Sequence, residues 1–132
     1  MTTYEATTHG ISVRVEPRFL DEHSEPGDDH FVWAYDVELT NNGDRPVQVM
    51  SRYWKITDAN GGVEEVAGDG IVGKQPVLEP GEQFRYQSAA PLPTPSGIMM
   101  GYYLVHSADD QLLQIEIPAF SLDSPYERRR HH

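Results

Sequence analysis

The stretch FVWAYDVELT, residues 31–40, decides the fold. Phe31, Trp33, Tyr35, Val37 and Leu39 are apolar at every second position, while Asp36, Glu38 and Thr40 take the other face. A β-strand, whose side chains point alternately to opposite faces, has that period and an α-helix does not. Aromatic and β-branched residues strengthen the strand preference. Moving outward, residues 41–44 (NNGD) form a turn, because Asn and Gly tolerate the positive φ angles of tight hairpins. On the other side, residues 21–29 (DEHSEPGDD) are acidic, contain Pro26-Gly27 and hold no apolar run, so they form a loop.

The same alternation recurs along the chain. Ile11, Val13 and Val15 mark a strand whose pairing Pro17 limits. Residues 47–57 begin with Val47 and Val49 on one face but continue with Trp54 and Ile56 at the opposite parity, which predicts a bulge near Ser51-Arg52. Shorter strands follow at 63–66, at 83–89 with Phe84 and Tyr86, at 98–106, and at 113–117, where Pro118 ends the last one. Residues 91–97 (PLPTPSG) read as an extended connection, since proline donates no ladder hydrogen bond. Residues 1–9 carry no period and read as a disordered lead-in, and residues 123–132 as a flexible basic tail. About seven short strands separated by turns, with no helical period, predict an all-β domain over residues 10–122. The expected architecture is an immunoglobulin-like or fibronectin type III-like antiparallel β-sandwich, a pattern that a barrel would share.

One segment carries more than strand pattern. Gly68, Gly70 and Gly73 spell G-x-G-x-x-G, a spacing that elsewhere brings backbone N–H groups against a pyrophosphate. The dinucleotide-binding unit also needs a helix opening at the third glycine. Here Pro76 follows within three residues and Leu78-Glu79-Pro80-Gly81 turns the chain, so a glycine loop is expected and a Rossmann unit is not. Two readings of the loop stand. It is either a set of backbone angles for a sharp crossover or an anion nest with Lys74 and Arg52 supplying positive charge.

Composition excludes several function classes. The chain has 132 residues, enough for one domain with a real core. Lacking cysteine, it has no disulfide, thiolate metal site or cysteine nucleophile. No apolar run approaches the roughly 20 residues of a membrane span, and no leader pattern stands at Met1, so a cytoplasmic protein without membrane contact is expected. A net charge of −11 opposes binding to nucleic acid. No G-x-S-x-G or H-E-x-x-H motif occurs, and Glu64 and Glu65 point to opposite faces of a strand, so no catalytic residue is assigned. His23, Asp28, Asp29, His30, Asp109 and Asp110 are metal donors by type, but their spacing matches no ligand motif, and neither metal site nor cofactor is expected.

Together the motifs Glu16-Pro17-Arg18, Ser51-Arg52-Tyr53-Trp54 with Ile56-Thr57-Asp58-Ala59-Asn60-Gly61, and Glu65-Val66 before the glycine loop carry a likeness. It continues through Gln75-Pro76, Leu78-x-Pro80-Gly81-Glu82, residues 91–97 and Ile117-Pro118-x-Phe120-Ser121-Leu122. In this order they resemble the ApaG family over about residues 10–122. The resemblance implies a fibronectin type III-like sandwich, an association with cobalt resistance and magnesium efflux, and a neighbouring diadenosine tetraphosphate hydrolase. In larger eukaryotic proteins the related domain looks like an interaction module. The family's glycine motif, proposed to contact pyrophosphate, matches Gly68, Gly70 and Gly73.

Two functional expectations follow. The first is a non-enzymatic binding module that docks a protein partner, or a second copy as a homodimer, through a sheet edge or through Arg52, Tyr53 and Trp54, since arginine beside aromatic residues is what interface anchors are made of. A buried tryptophan with a surface arginine is the other reading of that trio. The second is a sensor of a pyrophosphate-containing small molecule at Gly68, Gly70, Gly73 and Lys74, with a divalent metal bridging Asp69 and phosphate.

Overall fold

The computed structural model describes residues 2–126. Nine strands follow in order: β1 (Tyr4–Thr8), β2 (Ile11–Phe19), β3 (Phe31–Asn41), β4 (Val47–Asp58), β5 (Val63–Asp69), β6 (Val77–Leu78), β7 (Gln83–Leu92), β8 (Gly97–Ser107) and β9 (Leu112–Leu122). Two short 3-10 turns, Asp21–His23 and Pro26–Asp28, occupy the acidic loop. The strands form two antiparallel sheets, ordered β1-β2-β3-β7 and β5-β4-β8-β9, with β6 on the far end of β4. They pack face to face, which is the expected sandwich. The core between them holds Trp33, Tyr103, Phe120, Leu39, Ile115 and Ile117 among others, and β3 and β4 lie at the centre of their sheets.

Several details depart from the sequence reading. Residues 4–8, expected in a disordered lead-in, form β1, which pairs with β2 from Tyr4↔Val15 to Thr8↔Ile11. Only alternate side chains of β1 are half-buried, so its stability comes from the main-chain ladder and leaves little hydrophobic signal. Likewise Tyr126 packs its ring 6.0 Å from those of Phe19 and Phe31, so the start of the expected tail is docked. The basic end, Arg128-Arg129-Arg130-His131-His132, lies outside the described residues.

Prolines sit where the ladder can spare a donor. Pro91 lies within β7, an edge strand. Pro17 lies beyond Val15, where pairing with β1 stops. Strand β9 does not end at Pro118 but absorbs it in an irregularity between Met99 and Gly101 of β8, then continues to Leu122. The bulge expected near Ser51 occurs between Val49 and Ser51. The NNGD turn is not a hairpin, because it carries the chain from one sheet to the other. Asn41 is fully buried there, donating from Nδ2 to Arg45 O at 2.8 Å and Leu78 O at 2.9 Å while Oδ1 accepts from Gly43 N.

The sandwich has two long seams. Along one, β1 and β2 close over β9, with Tyr4 packed on Phe120 and the Glu116 N–H donating to Thr8 Oγ1 at 3.2 Å. Along the other, β7 faces β5, and that seam stays open.

Candidate functional site

The bulge at Met50 sets the site. It flips the parity of β4, so that Arg52, Trp54 and Ile56 share the inner face and lie opposite Gly68, Val66 and Glu64 of β5. Arg52 is thus a charged residue at an inward position. Its Nη1 donates to Asp69 O and to Gly70 O, both at 3.0 Å. The guanidinium lies over Gly68, where a Cβ would come within 3.0 Å of Nη1 and 3.1 Å of Nη2. Gly68 is therefore the gap that Arg52 occupies.

Beyond this latch the glycine loop folds on itself. Ile71 and Lys74 exchange both main-chain bonds, at 2.7 and 2.9 Å, around Val72 and Gly73, whose φ angles of 50° and 78° are those of a primed two-residue turn. Gly70, at φ 63°, donates its N–H to Met50 O at 2.8 Å, and a Cβ on it would meet Lys74 O at 2.2 Å. Ile71 is buried in the core and pins the hairpin. The N–H groups of Gly70, Ile71 and Lys74 are therefore engaged within the fold, while the Lys74 side chain is exposed.

The trio Arg52, Tyr53 and Trp54 is divided between the two faces of β4. Trp54, expected among partner contacts, is 4% exposed and packs edge-on to Tyr35 and Phe120, so it is a core residue. Tyr53 faces outward and stacks on Tyr102 with ring centroids 5.0 Å apart, and its hydroxyl donates to Glu65. Ile98 and Met100 extend this outer face as exposed apolar residues. Strand alternation forces the split, since neighbouring side chains cannot share a face.

On the inner side, Arg52 opens onto a cleft of about 330 Å³ between the sheets, walled by Trp54, Val66, Tyr35, Tyr86 and Ser88. Tyr86 and Tyr103 share a hydrogen bond between their hydroxyls. Burial raises the pKa of both well above the ordinary tyrosine value. Burial also raises that of Tyr35, partly offset by Ser88 and by the charge of Arg52. All three hydroxyls are thus neutral at physiological pH. Sequence reasoning missed this cluster, although tyrosine in place of phenylalanine at three inward positions is a visible signal.

The metal-donor types do not converge. His106 Nε2 and Asp110 Oδ1 lie 2.8 Å apart, but among the described residues no three His, Asp or Glu side chains come together. Nor is any helix among those residues long and apolar enough to cross a membrane.

Sheet order, sealed seam and open seam define an antiparallel β-sandwich of the fibronectin type III kind. The ApaG domain family matches residues 21–107. Protein ApaG of Paramagnetospirillum magneticum is 56% identical over 127 residues, covering 96% of this chain and 98% of that protein. Protein ApaG of Methylorubrum populi is 54% identical over 129 residues, covering 98% and 99%. A crystal structure described as that of the ApaA protein from Bordetella pertussis superposes with a TM-score of 0.85 at 45% identity, covering 88% of this chain and 94% of that one. The chain belongs to the ApaG domain family.

Proposed function

We propose that this chain is a non-enzymatic cytoplasmic docking module that takes an extended segment of a partner protein as an added strand on β5. One observation carries the reading: β5 is an edge strand in which every residue except Gly68 is exposed. Such an edge presents unpaired main-chain groups, and strand addition uses them for affinity and the flanking side chains for specificity. Val63, Val66, Val72 and Val77, all exposed, supply apolar contact beside the edge. A second copy is the weaker occupant, because two chains of net charge −11 repel each other. Tyr53 on the outer face of β4 remains a candidate partner contact, and Arg52 acts by holding β5 and the loop in place. On this reading the association with cobalt resistance and magnesium efflux is indirect and runs through the partner.

The test is amide hydrogen exchange on a stoichiometric complex with a partner captured from cell extract. The expected result is protection of residues 63–69 on binding, reproduced by a synthetic peptide from the partner. Binding that leaves those amides unprotected, or a homodimer that buries them, contradicts the reading. Recognition of pyrophosphate at Gly68, Gly70, Gly73 and Lys74 has less support, because three N–H groups of the loop are already engaged and Asp69 is adjacent. Heat on titrating ATP with magnesium into the protein, lost in a Lys74→Ala variant, would favour it instead.

A further inference from the structure

The open seam also has the makings of a small-molecule site, on the inner face of β5 rather than along its main-chain edge. Arg52 carries five N–H donors, of which, among the described residues, only those on Nη1 are engaged, by two loop carbonyls. Among the described residues it makes no ion pair, which leaves the side-on edge of Nε and Nη2 unclaimed. That edge matches the two oxygens of a carboxylate. Tyr35, Tyr86 and Ser88 line the same cleft, while Trp54, Val66 and Ile71 give it apolar walls.

Charge sets how much negative charge the seam accepts. Among the described residues, Arg52 is the sole cation lining the cleft, and Glu64 lines it as the sole carboxylate. One negative charge is balanced by Arg52; a second would meet Glu64 and the field of a chain at −11. The volume, about 330 Å³, lies at the small end of ligand pockets. We propose that the seam between β5 and β7 binds a small organic monocarboxylate with an aromatic or branched apolar body, its carboxylate on Arg52 and its body against Trp54 and Val66.

The experiment titrates 3-phenylpropionate into the isotope-labelled full chain and follows backbone amides and the Arg52 Nε–H by NMR. The neutral 3-phenylpropanamide and phenyl phosphate serve as comparisons. Saturable shifts confined to Arg52, β5 and β7 are expected, with the amide binding about tenfold more weakly or worse through loss of the charge-assisted pair. The phosphate should bind about tenfold more weakly or worse because its second negative charge meets Glu64 and the acidic field of the chain. Arg52→Gln should raise the dissociation constant by at least about tenfold. Because that change also loosens the loop, Val66→Trp is the second variant. It fills the seam from an exposed lip, leaves the Arg52 latch intact, and should abolish the shifts while the amide spectrum elsewhere stays native. No saturable shift up to about 10 mM, which is weaker than about 3 kcal/mol of binding, overturns the proposal. So does equal binding of acid and amide, tighter binding of the phosphate, or undiminished binding by Val66→Trp.

Discussion

The two seams of this sandwich are built from the same kind of strand and end differently. Where β1 and β2 meet β9, the inward residues Ile11, Val13, Val15, Ile115, Ile117 and Phe120 are all essentially buried. Where β7 meets β5, the inward positions of β5 are Glu64, Val66 and Gly68, and Val66 is still 36% exposed. One side carries bulky apolar residues that interlock; the other carries a charge, a small hydrophobe and no side chain at all. On β7 the facing residues include Tyr86 and Ser88, polar side chains where the other seam has apolar ones. The difference teaches that openness in this fold is a local choice of side chains on one edge, made without altering sheet order. It also explains why an arginine can stand at an inward position: only on the open side can its charge reach solvent, loop carbonyls or a ligand.

The comparison breaks if the sealed seam proves as tolerant as the open one. Phe120→Ala removes a ring that touches Tyr4, Tyr35 and Trp54 and should cost about 3–5 kcal/mol in urea unfolding. Gly70→Ala tests the loop that caps the open side. With φ at 63° and Lys74 O in the way of a Cβ, the change should cost about 2–3 kcal/mol, and a neutral result would mean the hairpin is not held as described.

Alkali should act on the open side next. Tyr86 and Tyr103 keep their protons in the fold to a higher pH than in the unfolded chain, whose tyrosines ionise near 10. The unfolded state therefore binds fewer protons above that pH, so the stability these two residues contribute is complete below pH 10 and is lost as pH rises further. The expected slope is roughly 1.4 kcal/mol per pH unit for each hydroxyl still protonated only in the fold. Thermal unfolding between about pH 9 and 11.5 measures it, and Tyr86→Phe should flatten the fall. Smallest of all, Val66→Ala on the open lip should stay within about 0.5 kcal/mol of the parent in the same urea assay.

Much of this fold was legible in the chain, and the reasons for the exceptions are physical. FVWAYDVELT and its weaker echoes carry a period of two, so the facing sheets follow from alternation alone. The parity change between Val49 and Trp54 even located the bulge. Strand β1 escaped because Tyr4, Ala6 and Thr8 are half-buried at best, and main-chain pairing leaves no trace in hydrophobicity. Two extra strands, β1 and β6, thus raise the count above the seven expected. The site was legible only in part. Gly68, Gly70 and Gly73 were visible as a motif, yet their jobs differ: the first makes room for Arg52, the second avoids a carbonyl, the third completes a tight turn. Treating Arg52, Tyr53 and Trp54 as one patch ignored the alternation that places Tyr53 outside and the other two inside. That Tyr35, Tyr86 and Tyr103 meet could not be read locally, because they come from three strands in two sheets.

Residue-resolved amide hydrogen exchange on the free protein tests the asymmetry most directly. Amides of Ile115 and Ile117 in β9 should exchange only through global unfolding, and the ladder amides of Val63–Asp69 about a thousandfold faster or more, a gap of at least ~4 kcal/mol in opening free energy. Equal protection on the two sides would contradict a molecule with one sealed seam and one left open to bind.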